Sequence, residues 1–395
     1  MRPPDSLTLP RRRSWRGTAL LCLALLSISA LPTTFRHARA ASLLMHVLDP
    51  ATPTLPWLSS AVDVRATTVG VPGVRLRARL YTPVGKPDAP GLVLLHGVHP
   101  RGIDEPRLIA FAQALAQSGI AVLTPELPEL RAFRIEATTV ERIALIARTY
   151  ATRVHSQAVG VMGVSFAGGL ALIAADQAVA ARSIAFVIAL GAHHDLQRLC
   201  RYYAGINVYG PHGERPGTAP HPYGARVILH QHLERFFNKT DLSVARSALD
   251  TYLDDQHARA RNKALALSPA GQATMAALLD DAHPTQLNAL LVRAAALARD
   301  ELAAASPRGH LARVHVPVFL IHGESDPVIP SIETMWLAHE VPARALRKTV
   351  ITPLLRHAEF PGAPSLWDAW DLVTLMADVL HEAEKTRATG LQIAL

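Results

Sequence analysis

The feature that most constrains the fold of this chain is a series of short apolar runs separated by segments with helical periodicity. The runs are GLVLLHG, IAVLTPEL, AVGVMGV, SIAFVIALGA and VPVFLIHG, and helical patterns such as RLIAFAQALAQSG lie between them. Apolar strands that alternate with helices are typical of a parallel sheet buried on both faces. The sequence therefore predicts an α/β fold, with a mostly parallel sheet and helices on both faces.

Two segments before this series have the pattern of a hairpin. Residues 62–69 and the stretch VRLRARLYTP from Val74 alternate apolar with polar or charged side chains, which predicts half-buried strands. Val71, Pro72 and Gly73 between them have the composition of a turn. We expect this hairpin to open the sheet.

The alternation stops between Leu196 and Arg313. A loop rich in Gly, Pro and His, YGPHGERPGTAPHPYG, is followed by alanine-rich helical patterns such as TQLNALLVRAAALARDELAAA. Insertions into such sheets emerge at the carboxyl ends of strands, where ligands bind. We predict that residues 196–313 form a helical cap over the functional site. A lateral helical subdomain with no role in the reaction is the alternative.

The first forty residues have the pattern of an export segment. The basic stretch RRRSWR precedes fifteen uncharged residues, Gly17–Leu31, and HARAA then places Ala38 and Ala40 at the spacing of an A-x-A cleavage site. The run is shorter than the roughly 20 apolar residues that span a bilayer. We expect residues 1–40 to be a signal peptide or an N-terminal anchor. Either one predicts an exported protein, periplasmic or extracellular, and an anchor would associate with the membrane through residues 17–35.

The other boundaries follow from composition and from the ends of the strand–helix pattern. Residues 41–62 are rich in Pro, Thr and Ser, which predicts a linker. We assign the two parts of the core to residues 63–195 and 314–382, and a C-terminal tail to 383–395.

The net charge of the chain is concentrated at its N-terminus. The formal charge is +8, and residues 1–40 carry seven arginines and one aspartate, or +6, which leaves +2 for the rest. No basic stripe is interleaved with aromatic residues, so we expect no nucleic-acid partner. Nothing in the sequence indicates an oligomeric state.

One serine follows an apolar run in AVGVMGVSFAGG. In a nucleophile elbow, a serine sits on a sharp strand-to-helix turn, and the residues two before and two after it are small. Around Ser165 these positions are Gly163 and Ala167, which gives G-x-S-x-A. The stretch is either such an elbow or a helix-packing seam that contains a serine.

A nucleophilic serine needs a histidine as base and a carboxylate to orient that histidine. Asp326 follows the apolar run VPVFLIHG, and His357 follows the last predicted strand, RKTVITP. Both positions fall at carboxyl ends of strands, after the serine in the chain. Asp195, in GAHHDL, is an alternative acid.

The same edge offers groups for an oxyanion and for substrate. The backbone N–H of Phe166 is one expected oxyanion donor, and the loop after LVLLHG supplies the other, Val98 or alternatively His99. His193 and His194 either line the pocket as substrate contacts, together with His99, or belong to a solvated loop.

The histidine-rich stretches do not have the pattern of a metal site. HH and HQH lack carboxylate or cysteine partners at ligand spacing, and the chain has no phosphate-binding glycine loop. We therefore expect neither a metal nor another cofactor.

Together, LLHG, GVSFAGG, HGESDPVIP and RHAEF resemble motifs of the α/β-hydrolase superfamily over residues 63–382, apart from the insertion. This resemblance implies an eight-stranded sheet and hydrolysis of an ester, thioester or amide through an acyl-enzyme. The triad would be Ser165, Asp326 and His357, acting on a small-molecule acyl substrate. A non-catalytic envelope protein that binds a partner or lipid is the alternative, and so is an acyltransferase with the same triad.

Overall fold

An eight-stranded sheet forms the centre of the structure. The structure is a computed structural model. It describes residues 15–49, 57–177, 182–280, 284–355 and 366–391, together with Thr52 and Leu55. The strand order is β1-β2-β4-β3-β5-β6-β7-β8. The β1/β2 and β2/β4 pairs are antiparallel, and all the others are parallel. The strands are β1 (Val62–Val71), β2 (Val74–Pro83), β3 (Gly91–Leu95), β4 (Ala121–Pro125), β5 (Val159–Val164), β6 (Ile184–Leu190), β7 (Val318–Gly323) and β8 (Leu346–Thr352).

Helices connect and cover these strands. They are α1 (Trp15–Leu48), α2 (Pro106–Gln117), α3 (Pro128–Arg131), α4 (Ala137–Arg153), α5 (Phe166–Asp176), α6 (Leu196–Tyr203), α7 (Pro222–Gln231), α8 (Leu242–Leu253), α9 (His257–Ala264), α10 (Pro269–Leu279), α11 (Thr285–Leu297), α12 (Arg299–Ala304), α13 (Ile332–Glu340) and α14 (Leu366–Leu391).

Both faces of the sheet are buried, as β3 illustrates. Val93 and Leu95 belong to the core beneath α4 and α5, whereas Leu92 and Leu94 belong to the core beneath α1, α2 and α14. All four side chains are inaccessible to solvent. Successive residues of a strand point to opposite faces, so helices must cover both sides. The predicted α/β architecture is confirmed.

The ends of α2 follow from its sequence. The side chain of Glu105 accepts a hydrogen bond from the Leu108 N–H at 2.8 Å, and Pro106 occupies the first helical position, where no N–H is needed. The helix stops before Gly119, whose φ of 96° is open to glycine and strained for other residues. Capping and the positive φ together set its length.

The predicted hairpin is present at the edge of the sheet. Val71 pairs with Val74 in register, which leaves Pro72 and Gly73 as the turn. Gly73 has a φ of 77°, the left-handed conformation that favours glycine. The turn residues thus fix the register of β1 against β2.

The insertion between β6 and β7 is helical, from α6 to α12. It bonds to the loops at the carboxyl ends of the strands: the Tyr223 hydroxyl donates to the Val98 carbonyl at 2.9 Å, and the His221 N–H donates to the Pro327 carbonyl at 2.8 Å. The insertion therefore lies against the edge where the functional residues are predicted.

Two predicted boundaries are wrong. The linker assigned to residues 41–62 is helical as far as Leu48, because Ala40, Leu43 and Leu44 are buried against α2 and α14. The tail assigned to 383–395 begins inside α14, which runs to Leu391. In both cases, packing between distant segments orders residues whose local composition indicates a loop or tail.

Within the ranges that the structure describes, no helix combines the length and apolar character needed to cross a membrane. The same ranges contain no group of three or more His, Cys, Asp or Glu side chains placed to hold a metal ion.

Candidate active site

The site is built where the carboxyl ends of the parallel strands meet. β3, β5, β6, β7 and β8 run in one direction, so the loops that follow them lie at one edge. The Ser165 N–H donates to the Leu190 carbonyl at 2.7 Å, and Gly323 pairs with Thr352. The loops after these strands therefore start side by side.

Ser165 occupies a strained turn between β5 and α5. Its φ of 58° and ψ of −133° form a combination that residues with a Cβ rarely adopt. The turn is tight, because a Cβ added to Gly163 would lie 2.4 Å from the Ala167 carbonyl oxygen. A packing seam needs no such strain, so the geometry is that of a nucleophile elbow.

This elbow follows the fifth strand of a sheet ordered β1-β2-β4-β3-β5-β6-β7-β8, in which β2 is antiparallel to its neighbours. The chain has the α/β-hydrolase fold. The predicted fold is confirmed, and the strand order, which the sequence alone did not provide, is a finding of the structure.

The departure from G-x-S-x-G is accommodated in this α/β-hydrolase fold. Ala167 is fully buried in the core, so its methyl group has a place. Close approaches of α5 fall instead at Gly168 and Gly169, where an added Cβ would lie 3.0 Å from the Gly163 carbonyl oxygen and 2.9 Å from the His193 carbonyl oxygen. The positions without room for a side chain are therefore one and two residues later than the second glycine of the motif.

The predicted oxyanion donors flank Ser165. Phe166 is the first residue of α5, where a backbone N–H has no partner within the helix. Gly97, after β3, lies against the elbow, because a Cβ added to it would be 3.4 Å from the Ser165 Cβ. The N–H groups of Val98 and His99 follow directly. The assignment of Phe166 and Val98 stays a prediction.

His96 fixes the start of this loop. Its Nε2 accepts from the Leu127 N–H at 3.0 Å, so its Nδ1 carries the hydrogen and donates to the Gly97 carbonyl at 2.7 Å. Burial lowers the pKa of His96 to about 4, which keeps the ring neutral. The histidine therefore shapes the turn.

Asp326 is buried at the same edge. Its Oδ1 accepts from the N–H groups of Val328 and Ile329 at 2.8 and 3.0 Å, and its Oδ2 lies 3.5 Å from Nε2 of His322. A Cβ on Gly191, the residue after β6, would lie 3.6 Å from that Oδ2. The carboxylate therefore lies at the end of β6, the strand that pairs with β5, which leads into the elbow.

His357, the predicted base, lies outside the described residues. It comes five positions after Thr352, the last residue of β8. Its role as base stays a prediction.

Asp195, the alternative acid, is tied to other partners. Its carboxylate caps α6 by accepting from the N–H groups of Gln197 and Arg198, at 2.9 and 3.3 Å, and it pairs with Arg308 at 2.8 Å. Burial alone would raise its pKa, but the bond from Arg308, the charge of Arg198 and the backbone donors lower the pKa overall. Asp326 is therefore the better candidate.

His193 and His194 do not support the predicted role in substrate contact. His193 is fully buried, its Nε2 lies 2.9 Å from the Ala305 carbonyl, and burial lowers its pKa to about 4. His194 is also buried, with its Nε2 2.5 Å from Oε2 of Glu340. The ring of His193 thus bonds to the end of the insertion and that of His194 to α13, so both are taken up by packing, and a role toward substrate has no support in the structure.

The remaining predicted contact, His99, is partly exposed in the loop after β3. Its Nδ1 accepts from the Arg101 N–H at 3.2 Å, and burial is the main cause that lowers its pKa. Its role toward substrate stays a prediction.

A cleft of about 680 Å³ lies nearby, between Pro100, Phe133 and the inserted helices. Its charged groups are paired within the wall: His230 lies 2.6 Å from Asp250, and Arg246 also has an acidic neighbour. Neither Ser165 nor Asp326 lines it. The cleft therefore shows no charge preference for a ligand.

Two residues beside the candidate site were missed by the sequence analysis. The His322 Nε2 lies 2.7 Å from the Ile329 carbonyl, and its Nδ1 lies 2.6 Å from the Thr334 hydroxyl, so it braces the Asp326 loop. Tyr223 reaches the loop after β3 from the insertion. For His322, its place in β7 as the first residue of HGESDPVIP, four positions before Asp326, was a usable signal. Tyr223 gave none, because its partner is a distant backbone carbonyl.

No known family model matches this sequence, and no curated protein matches it. Among solved structures, the chain is similar to brefeldin A esterase, described as a bacterial homologue of human hormone sensitive lipase. The identity is 15%, 90% of this chain and 87% of that chain are covered, and the TM-score is 0.45. It is also similar to an esterase of Pyrobaculum calidifontis, with 16% identity, 88% and 93% covered, and a TM-score of 0.44.

A third similar structure is 2-hydroxy-6-oxo-6-phenylhexa-2,4-dienoate hydrolase from Rhodococcus sp. strain RHA1. Here the identity is 15%, 74% of this chain and 91% of that chain are covered, and the TM-score is 0.40. Likeness at this level does not assign an activity to the chain.

Proposed function

We propose that the protein is a serine hydrolase that cleaves a carboxylic ester, or a thioester or amide, through an acyl-enzyme. The observation that carries the proposal is the backbone of Ser165, with φ 58° and ψ −133° at the start of α5. Strain of this kind persists only where the surrounding structure over-determines it, and it clusters at active sites.

The proposed reaction begins with attack of the Ser165 hydroxyl on the acyl carbon, while His357 takes the hydroxyl proton. Asp326 orients the imidazole and stabilises its cation. His357 then gives the proton to the leaving alcohol, thiol or amine, and the serine ester remains. Water attacks this ester with His357 again as base, which releases the acid and restores the serine.

The oxyanion that forms at both stages needs donors that are already in place. The N–H of Phe166 is supported for this role by its position at the first turn of α5, where the helix dipole also favours negative charge. The second donor comes from the loop after β3, through Val98 or His99. Loss of one such donor typically lowers kcat by about 10²–10³-fold.

The insertion is proposed to limit access and to set substrate preference. This role is supported by its bonds to the loops at Val98 and Pro327. Its alanine-rich helices favour an apolar acyl or alcohol group. We propose further that the protein is exported, on the basis of the pattern in residues 1–40.

Chromogenic p-nitrophenyl esters of increasing acyl length test this function. An acyl-enzyme that deacylates slowly gives a burst of p-nitrophenol equal to the enzyme concentration, and Ser165→Ala abolishes both burst and turnover. The matched control is Ser183→Ala, at a similarly buried serine just before β6, which keeps both. A folded protein without hydrolysis of any ester favours the non-catalytic binder. Product esters formed when an alcohol is added favour acyl transfer.

A further inference from the structure

Exposed aromatic side chains cluster around α1 near residues 35–37. Phe35, Trp57, Trp367 and Trp370 have 43, 63, 83 and 53% of their surface exposed. The chain has five tryptophans, and three of them belong to this set. Large aromatic side chains are normally buried, so this aromatic patch calls for a partner.

The patch lies on both sides of α1. The ring of Phe35 lies 6.4 Å from that of Trp57, and the ring of His37 stacks at 5.6 Å on Trp370. Residues two positions apart on a helix point about 200° apart, so the two tryptophans flank the helix. Trp367 lies one turn before Trp370, on the same side of α14.

The last part of α1 is fixed to the body. The guanidinium of Arg39 donates to the Ser118 carbonyl, and its Nη1 lies 2.9 Å from Oε1 of Glu384. Ala40 is fully buried, and Leu43 is 4% exposed. The peptide bond after Ala40, where cleavage was expected, therefore lies within a packed helix.

The preceding part of α1 has the opposite character. Residues 31–35 are all exposed, Leu31 by 62%, so this stretch of the helix is open to solvent. Upstream, the same helix continues through the fifteen uncharged residues Gly17–Leu31, and arginines precede them. The aromatic patch thus adjoins a helical segment of apolar sequence, which we call the arm.

We propose that α1 is retained in the mature protein and that the aromatic patch rests on a lipid bilayer. Tryptophan is enriched at the membrane–water interface, where its ring is apolar and its N–H remains wet. The uncharged arm would bury apolar surface among the acyl chains, and the arginines before it would contact anionic headgroups. A bilayer is favoured over a protein partner because the patch continues directly into this arm.

Vesicle binding of the full chain tests the proposal. Wild-type protein sediments with phosphatidylcholine vesicles, more strongly when phosphatidylglycerol is included, and brominated lipids quench its tryptophan fluorescence. The double variant Trp367→Ser/Trp370→Ser binds roughly tenfold more weakly at equal lipid. The matched control, Leu265→Ser/Val292→Ser, removes exposed apolar side chains of the insertion and binds like the wild type.

Several results would overturn the proposal. One is absence of vesicle binding, and another is equal binding by the patch variant and the wild type. A third is a mature protein whose measured mass corresponds to a chain that starts at residue 41. Gel filtration adds one more: a dimer that the patch variant loses, without vesicle binding, would assign the patch to self-association. Retained ester hydrolysis in each variant shows that the fold is intact.

Discussion

Ser165 can hold its strained backbone because the residues on both sides of it fix the bend. Gly163 leaves room for the carbonyl of Ala167, and the first turn of α5 fixes the other side of the bend. The strain is local, but its support comes from β5, α5 and the β6 end. A single methyl group at the right position is therefore enough to disturb the nucleophile.

Gly163→Ala is expected to lower both stability and activity. The new Cβ would lie 2.4 Å from a backbone oxygen that has no room to move, so the bend must open. We expect a loss of about 1–3 kcal/mol in the free energy of unfolding, measured by urea titration, and a fall in kcat. Gly70→Ala is the control, since nothing lies within 4 Å of its added Cβ. Equal effects of the two substitutions would contradict the elbow.

Asp326→Asn separates the two candidate acids. Asparagine keeps an oxygen for the Val328 and Ile329 N–H groups but loses the charge that stabilises an imidazolium. We expect kcat to fall by roughly 10³–10⁴-fold with little change in the melting temperature. Asp195→Asn should do the reverse, because it weakens the pair with Arg308 and leaves catalysis nearly intact. If Asp195→Asn abolished kcat instead, the acid would be misassigned.

Among the secondary-structure elements, the insertion shares a hydrophobic cluster with the core and also bonds to loops of the core. The Tyr223 hydroxyl bonds to the Val98 carbonyl, and the Tyr203 hydroxyl bonds to the Val328 carbonyl at 2.7 Å. These carbonyls belong to the loop of the expected oxyanion donor and to the loop of Asp326. The helices of the insertion therefore position loops of the core as well as covering them.

Tyr223→Phe is expected to lower kcat with little effect on KM. The carbonyl of Val98 loses its donor, so the loop that carries the N–H groups of Val98 and His99 is held less firmly beside the oxyanion. We expect a reduction of about 5- to 50-fold in steady-state kcat. Tyr202→Phe is the control, because that hydroxyl bonds at 3.1 Å to Thr218 within the insertion. A rise in KM alone would indicate that Tyr223 only shapes the pocket.

The sequence predicts these elements unevenly. Continuous apolar character predicts strands such as GLVLL, and small residues around Ser165 predict the elbow, because both signals are local. The contacts of Tyr223, His193 and His194 were not foreseen. Each joins segments far apart in the chain, and no local pattern encodes which helix will cover a given histidine.

At the scale of the whole molecule, buried neutral histidines link stability to pH. Burial lowers the pKa values of His96 and His193 to about 4, from an ordinary value of 6.5. In the unfolded chain these two imidazoles take up protons near pH 6.5, whereas in the folded protein they do so only near pH 4. Stability must fall as the pH drops through this interval.

Urea titrations between pH 7 and 4 measure the effect. We expect the free energy of unfolding to decrease by a few kcal/mol in total from these two groups, in addition to smaller losses from other buried histidines. His96→Gln should reduce the slope, since its side chain no longer has a proton to take up. Stability that stays flat over this range would show that the two rings are accessible or already charged in the folded protein.

A fluorophosphonate reacts with serine only where the hydroxyl is an activated nucleophile, as proposed for Ser165. Peptide mapping by mass spectrometry locates the adduct after labelling of the full chain. We expect one adduct per molecule, on the peptide that contains Ser165, with labelling lost in Ser165→Ala and strongly slowed in His357→Ala. An adduct at another residue, or a folded wild type that stays unlabelled, would contradict it.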